Sequence, residues 1–284
     1  MFQSISHTFG LMKTSWRVLM QDRELMLFPV LSGIVVIAVA GFFAALGYSL
    51  GTFDRVAASS NEASTAATVN GADMALFVAL SFVMTAVAVF FNAALISAAL
   101  ERLNGGDPTV RSGLNAAVRS LPAILGWAAI SATVGLLLQL ARSQAREGAL
   151  AIVTRIAIAI VGGIWAYMTF FVVPIMVAER LGPIAAIKRS KALFRQTWGN
   201  QAVAGFGFGL IYLGAIVVTA VVAVPLFMVY PLLGIIAGAA VFSVTFGTVA
   251  AMEGVFKAAL YGFAAGKPSE AFDNATLRSA YRAM

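Results

Sequence analysis

Residues Leu25–Leu50 read LMLFPVLSGIVVIAVAGFFAALGYSL, a run that holds no charged side chain. An α-helix of about 20 apolar residues crosses the hydrocarbon core of a bilayer, and this run is longer than that. Inside the core every backbone polar group needs an internal partner, which a helix supplies for itself. The run therefore predicts a membrane-spanning helix.

Five further apolar runs follow along the 284-residue chain. They cover Met74–Leu100, Leu121–Ala141, Leu150–Ala178, Ala202–Val229 and Leu232–Phe263. The chain is 61% hydrophobic and 11% charged, whereas soluble domains carry roughly 25% charged residues. This composition excludes a water-soluble fold. It predicts a single all-α, polytopic membrane domain over residues 1–284 with six transmembrane helices.

Basic residues are distributed unevenly between the connections. One side of the predicted membrane holds Lys13, Arg17, Arg23, Arg102, Arg111, Arg119, Arg180, Lys188, Arg189, Lys191, Arg195, Lys267, Arg278 and Arg282. The other side holds Arg55, Arg142 and Arg146. By the positive-inside rule the richer side is cytoplasmic, as are both termini. The formal charge of +7 is thus explained by topology and anionic lipid, and nucleic acid is not an expected partner.

Two segments on the basic side have helical periodicity. In the first, apolar residues recur every three or four positions, at Phe2, Ile5, Phe9, Met12, Trp16 and Leu19. In residues 183–198, one helical face carries Ile184, Ile187, Phe194 and Trp198. These patterns predict amphipathic cytoplasmic helices.

Two interpretations of these helices stay open. In the first, they lie on the inner leaflet with their basic residues at anionic lipid headgroups; in the second, they pack on the spanning bundle, and the two are compatible. The residues assigned to the headgroups in the first case are Lys13, Arg17, Lys188, Arg189, Lys191 and Arg195. The lipid bilayer is the expected partner in both cases, and a membrane-protein partner of unknown identity is possible.

Three kinds of local signal complete the helix assignment. Gly51–Asp73 is rich in small and polar residues and lacks apolar periodicity, which predicts a mobile surface loop. Pro174 and Pro225 are expected to kink or end their helices. Small residues four apart let helices approach closely, most simply within one molecule. Such pairs are Gly205 with Gly209, Gly234 with Gly238, and Gly41 with Ala45.

The ends of the even-numbered spans resemble one another. Phe171 and Phe256 each precede a proline, Pro183 or Pro268, by the same spacing, and Phe91 precedes Pro108 by a slightly longer one. A potentially helical, partly basic segment follows each proline. The pattern predicts three pseudo-repeated hairpins in the same orientation, related by rotation about the membrane normal. Chance similarity among apolar helices is the alternative.

Several motifs resemble a bacterial family of uncharacterised multi-pass membrane proteins. They are Phe9-Gly10-Leu11, Ser15-Trp16-Arg17, Leu27-Phe28-Pro29-Val30-Leu31, Ala186-Ile187-Lys188-Arg189-Ser190 and Ala259-Leu260-Tyr261. The wider group is similar to the membrane domain associated with glycerophosphoryl diester phosphodiesterases. The resemblance implies a helical bundle in the bacterial inner membrane. It implies no activity.

Ionisable residues inside apolar spans are the natural candidates for a functional site. Glu253 and Lys257 are one helical turn apart and can pair along one face of the sixth span. Asn92 occupies the position of the second span that corresponds to Lys257. These three residues either surround a polar cavity open to the cytoplasm or form a structural pair that ties helices together.

Catalytic chemistry has little support in the composition. The chain has no cysteine and one histidine, His7, so thiolate or histidine metal sites, catalytic residues and cofactors are not expected. A non-enzymatic scaffold, assembly or lipid-organising role is the favoured hypothesis. The alternative is a small-solute or ion transporter or channel with a polar site near Glu253 and Lys257. An intramembrane lipid enzyme is a third hypothesis, without a visible nucleophile.

Overall fold

A computed structural model describes residues 14–59, 70–143, 149–198 and 206–267 of the chain. The described residues are 90% helical and contain no strand. A 3-10 turn, Arg23–Met26, connects the first two helices. The α-helices are α1 (14–21), α2 (Leu27–Ser49), α3 (Thr52–Ser59), α4 (Gly71–Leu103), α5 (Val110–Arg119), α6 (Leu121–Ser143), α7 (Ala149–Thr169), α8 (Val172–Ala178), α9 (Pro183–Trp198), α10 (Phe206–Val229) and α11 (Pro231–Ala264).

Six helical stretches of the described chain are long and apolar enough to cross a bilayer. They are Arg23–Ser49, Gly71–Leu103, Leu121–Arg142, Ile152–Ala178, Ile211–Val229 and Pro231–Ala264. The predicted number of spans is confirmed. With 33 and 34 residues, α4 and α11 are longer than predicted. At about 1.5 Å per residue each measures roughly 50 Å, which exceeds a core of about 30 Å, so both tilt or project beyond it.

The fourth span is interrupted, because α7 ends at Thr169 and α8 begins at Val172. Pro174 contributes to the break: it has no N–H for the Phe170 carbonyl, and its ring crowds that carbonyl. The Phe171 N–H instead donates to Ser190 Oγ of α9 at 3.1 Å. At Pro225 the outcome differs, since α10 continues past this residue.

The buried core lies where α4, α8 and α11 meet. Residues 94–96, 174–176 and 259–261 are buried on these three helices, which contact one another. α4 is central, because it also packs against α2, α5 and α6. Elsewhere the spans expose large apolar side chains, such as Ile37 at 72% and Val221 at 67%. In a bilayer these side chains face lipid.

The small-residue pairs behave differently from one another. A Cβ at Gly234 would clash with the backbone of Phe227, and one at Gly238 would lie 2.8 Å from Ala223 Cβ. This pair therefore packs α11 on α10 within the molecule, as predicted. A Cβ at Gly41 or Gly209 would meet no atom within 4 Å. Gly205 lies outside the described residues.

The prediction of a mobile loop over Gly51–Asp73 is wrong where the structure describes it. Thr52–Ser59 is helical, and Asp73, in the first turn of α4, is buried. Thr52 Oγ1 donates to Asp73 Oδ1 at 2.7 Å, and Arg55 Nη2 lies 2.6 Å from the same oxygen. The hydrogen bond to Asp73 raises the pKa of Arg55. The Asp73 carboxylate of α4 thus holds α3 in place. Local periodicity could not predict this contact, because the partners are distant in sequence.

The buried faces of α1 and α9 test the interpretation in which the amphipathic segments pack on the bundle. On α1, Ser15, Val18 and Leu19 are buried, whereas Trp16 is 42% exposed, about 100° around the helix from the neighbouring Ser15. Trp16 and Leu19, predicted to lie on one apolar face, therefore differ: Leu19 is buried and Trp16 is exposed. Residues 1–13, including Lys13 and His7, lie outside the described residues.

On α9, Ala186, Ser190, Leu193 and Phe194 are buried where the helix packs on α7 and α8. Ile184, predicted to share the apolar face with Phe194, is 64% exposed. The structure thus shows bundle packing for the buried faces of α1 and α9. The exposed residues leave room for headgroup contact, which stays a prediction. The side chain of Trp198 is outside the described part.

Candidate functional site

One end of the bundle collects α1, α5 and α9, and we call it the basic end. Arg102, in the last turn of α4, lies 2.6 Å from Asp22, which follows α1. Glu24 Oε2 accepts a 2.9 Å hydrogen bond from the N–H of Val110, the first residue of α5. Burial raises the pKa of Asp22 despite the neighbouring Arg102 guanidinium. These contacts attach the segment before α2 to the end of α4 and the start of α5, where the first hairpin ends.

The ion pair predicted in the sixth span forms. Lys257 Nζ lies 2.7 Å from Glu253 Oε1, and the two side chains are 26% and 27% exposed. Tyr212 of α10 donates its hydroxyl proton to Glu253 Oε2 at 2.7 Å. Lys257 Nζ also lies 5.9 Å from the centre of the Phe170 ring, within cation–π range. The pair therefore connects α11 with α10 and with the α7–α8 junction.

A groove of about 530 Å³ lies between α2, α4 and α11. Asn92, Glu253 and Lys257 all line it, so the structure brings the three predicted residues to one cavity. Its volume falls within the range of ligand pockets, roughly 300–1,000 Å³. That these residues bind a ligand stays a prediction.

The walls of this groove are mainly apolar and exposed. Val30, Ile34 and Ile37 of α2 line one side, and Phe242 and Phe246 of α11 line the other. All five are exposed large apolar side chains, from 37% at Phe246 to 72% at Ile37. The walls are thus exposed surface of the spanning helices. The opening of the cavity to the cytoplasm stays a prediction.

A second polar cluster lies at the basic end, where α8, α9 and α11 meet. Glu179 Oε1 accepts hydrogen bonds from Tyr261 Oη at 3.0 Å and from Arg189 Nε at 3.2 Å. These three residues line a cavity of about 410 Å³, together with Asn104 and Lys267. Arg189 therefore pairs with a carboxylate while 41% of its side chain stays exposed, and its headgroup contact stays a prediction. Glu101 is engaged separately, because it accepts a hydrogen bond from Ser112 Oγ at 2.8 Å.

The other basic residues assigned to headgroups keep exposed positions. Arg17 on α1 and Lys188, Lys191 and Arg195 on α9 are exposed. Long basic side chains at this level can reach lipid phosphates while their stems cover apolar surface. Their headgroup contact stays a prediction.

Sequence reasoning did not find Tyr212 or Tyr261. A tyrosine hydroxyl inside an apolar span needs a hydrogen-bond partner, and this requirement is a usable signal. This requirement predicts that the Tyr212 hydroxyl donates either to a carboxylate in a neighbouring span or to a backbone carbonyl. That Glu253 is the acceptor depends on how α10 packs against α11, which the sequence does not give.

Residues 71–270, more than half of the chain, match the model of a family described as a family of unknown function, DUF6159. The chain belongs to DUF6159. No curated protein and no solved structure matches the chain. The DUF6159 match contains Asn92, Glu253 and Lys257, whereas the α2 wall of the groove precedes it. Nothing in these comparisons links the chain to glycerophosphoryl diester phosphodiesterase membrane domains.

Proposed function

We propose that this protein is a non-enzymatic, lipid-organising protein of the bacterial inner membrane, and that a phospholipid of the cytoplasmic leaflet occupies the groove between α2, α4 and α11. The observation that carries the proposal is the composition of this groove. Its walls are mainly apolar and exposed, and its two charged side chains, Glu253 and Lys257, lie on one stretch of α11. Asn92 also lines the groove, as do the hydroxyls of Ser32 and Ser243, of which the second is bonded to the Ala239 carbonyl of its own helix. A phospholipid has the same division between acyl chain and headgroup.

The depth of the polar side chains supports this assignment. From Pro231 to Met252, α11 holds no charged residue. At about 1.5 Å per residue this stretch is roughly 33 Å long, enough to cross a core of about 30 Å. Glu253 then lies at the boundary of the core and Lys257 one turn further out. That is the level of lipid headgroups on the basic side.

The charge of the pair matches a zwitterionic or anionic headgroup. The Lys257 ammonium can donate to a lipid phosphate, and the Glu253 carboxylate can accept from a headgroup amine. Asn92 supplies an amide that both donates and accepts. The acyl chain would then lie along Val30, Ile34 and Ile37, in contact with Phe242 and Phe246.

The basic end supplies the orientation. Its exposed Lys and Arg residues are the ones expected on the cytoplasmic side, where anionic lipids are concentrated. With six spans, an even number, both termini lie on that side. Arg17, Lys188, Lys191 and Arg195 are then placed to contact anionic headgroups, in addition to the groove.

A threefold arrangement of hairpins is part of the proposal. Its support is the burial of corresponding positions, 94–96, 174–176 and 259–261, on three helices that contact one another. An amphipathic helix, α5 or α9, follows two of the three ends. Residues 268–284, after the third end, lie outside the described residues.

Lipid retained by the purified protein tests the groove. Gly33 lines the groove, and a Cβ there would meet no atom within 4 Å, so Gly33→Leu should fill the groove without a clash at its first carbon. Gly135 on α6 is equally open, which makes Gly135→Leu the matched control. Native mass spectrometry after extraction should show less bound phospholipid for G33L than for wild type or G135L. Equal lipid in all three would contradict the proposal.

The Glu253–Lys257 pair provides a second test, which also distinguishes lipid binding from the alternative of solute transport. Replacing both Glu253 and Lys257 by Gln removes the charges together and leaves neither alone. The double variant should retain less phosphatidylethanolamine or phosphatidylglycerol than Arg142→Gln, a control at an exposed residue of α6 that does not line the groove. Solute flux in proteoliposomes that is present in wild type and lost in the double variant would instead favour transport.

A further inference from the structure

A second cavity lies at the basic end, between the α5–α6 junction and the link from α8 to α9. Its volume is about 330 Å³. Arg119 and Ser120 form one wall, and Arg180, Gly182 and Pro183 form the other. It is separate from the groove, with which it shares no lining residue.

Two helices fix the walls of this cavity relative to each other. A Cβ at Gly126 of α6 would lie 3.0 Å from Pro183 Cγ, so α6 packs closely on the start of α9. Ser120 is 7% exposed, and its hydroxyl lies 3.5 Å from the Met176 carbonyl oxygen of α8. Arg119 is thus the last residue of α5, and Arg180 lies in the short link between the packed helices α8 and α9.

The charge at this cavity is positive and uncompensated by the described residues. Both arginines are exposed, and no acidic side chain lines the cavity. Acidic groups of the basic end have partners elsewhere: Asp22 and Asp107 near Arg102, Glu24 at the Val110 N–H, Glu101 at Ser112, and Glu179 at Arg189. Within the described part of the chain, neither Arg119 nor Arg180 belongs to an ion pair.

We infer that this cavity binds a phosphate group held between Arg119 and Arg180. Guanidinium groups present parallel N–H donors that match phosphate oxygens two at a time, and charge-assisted bonds of this kind are the strong ones. The Ser120 hydroxyl is directed to the Met176 carbonyl, so the two guanidinium groups supply the donors for the phosphate. The inference is independent of the proposed function, because no groove residue contributes.

The position of the cavity along the membrane normal is compatible with two sources of phosphate. Span three begins at Leu121 and span four ends at Ala178, so the cavity lies at one end of both spans. Phospholipid headgroups lie at this level, and a soluble phosphate can reach it from water. The shared chemistry is the phosphate oxyanion.

Calorimetric titration of the full-length protein in detergent, free of phosphate buffer, tests the site. The probes are inorganic phosphate and a short-chain phosphatidylglycerol. Arg119→Gln and Arg180→Asn remove one guanidinium each. Asn suits position 180, because Arg180 has a φ of 52° and Asn tolerates this left-handed region. Arg111→Gln is the matched control, an exposed arginine of α5 that does not line the cavity.

Loss of one charge-assisted contact should weaken binding about tenfold in R119Q and in R180N. R111Q should stay within about twofold of wild type, because an exposed charge contributes little. Binding of inorganic phosphate with this pattern indicates a site for a free phosphate group. Binding of phosphatidylglycerol alone with this pattern assigns the phosphate to a headgroup.

Equal affinities in R119Q, R180N and R111Q would overturn the inference, as would a wild type that binds neither probe. Thermal unfolding of each variant establishes that the protein is folded. If R180N does not fold, R119Q decides the question alone, since Arg119 is exposed at the end of α5.

Discussion

Tyr212 Oη lies 2.7 Å from Glu253 Oε2, which joins α10 to α11 by a side-chain hydrogen bond between two membrane-spanning helices. The residues are 41 positions apart in the chain. The other oxygen of the same carboxylate holds Lys257 at 2.7 Å. Glu253 is thus the shared acceptor of the network, and its two donors can be tested separately.

Removal of the tyrosine hydroxyl should destabilise the hairpin of α10 and α11. Tyr212→Phe deletes a hydrogen bond to a charged acceptor, and we expect a loss of about 1–3 kcal/mol in unfolding free energy. Tyr230→Phe is the control, because Tyr230 is 64% exposed at the start of α11. Reversible unfolding in mixed micelles measures both. Equal stability of Y212F and Y230F would show that this bond contributes nothing net.

Loss of one charge of the Glu253–Lys257 pair should lower the unfolding free energy more than loss of both charges. Glu253→Gln leaves the Lys257 ammonium without its carboxylate and should cost about 1–3 kcal/mol. The double change to Gln at both positions should be less harmful than E253Q alone, because no charge remains unpaired. The same unfolding assay, arranged as a double-mutant cycle, gives the coupling. A double variant as unstable as the sum of the two single variants would mean that the residues do not interact.

The contact of Asp73 with Arg55 and Thr52 should control the order of α3. Asp73→Asn removes the ion pair with Arg55 while keeping side-chain shape, so amide hydrogen exchange over residues 52–59 should become faster. Asp54→Asn changes an exposed neighbour on α3 and should leave exchange nearly unchanged. Mass spectrometry of the peptide covering α3 provides the measurement. Unchanged protection in D73N would assign the helix to its own local stability.

The close approach at Gly234 should not tolerate a side chain. Gly234→Ala forces a Cβ against the Phe227 backbone and should cost about 1–3 kcal/mol through overpacking. Gly41→Ala adds the same atom where nothing lies within 4 Å. It should be neutral or slightly stabilising, because Ala favours helix over Gly. Comparable losses in G234A and G41A would refute the packing role.

The orientation can be mapped directly, because the chain has no cysteine to remove first. Single cysteines at exposed Arg111 and Lys191 should be protected from a membrane-impermeant maleimide added to intact spheroplasts. A cysteine at Asp54, near the opposite end, should be labelled. Labelling of position 111 or 191 from outside would reverse the proposed topology. Lysed spheroplasts give the control for accessibility.

The candidate site was partly accessible to sequence reasoning. Glu253 and Lys257 are one turn apart on a single helix, so helical geometry alone predicts that they can pair. Asn92 was connected to them through the similarity between spans. The apolar wall from α2, the Tyr212 hydroxyl and the Phe170 ring could not be predicted, because their positions depend on how separate helices rotate and slide against each other.

The six spans follow from the sequence by itself. A run such as Leu25–Leu50 has one low-energy solution in lipid, a helix that satisfies its own backbone, and this holds whatever the neighbouring helices do. The break at Phe170 and Phe171 does not follow from Pro174 alone, because α10 continues past Pro225. At the break, the Phe171 N–H has a partner in Ser190 of α9. Only the tertiary structure decided which faces are buried: Leu19 but not Trp16, Phe194 but not Ile184. It also decided that Arg119 and Arg180 line one cavity. These outcomes depend on contacts between distant residues, which the periodicity of one helix does not encode.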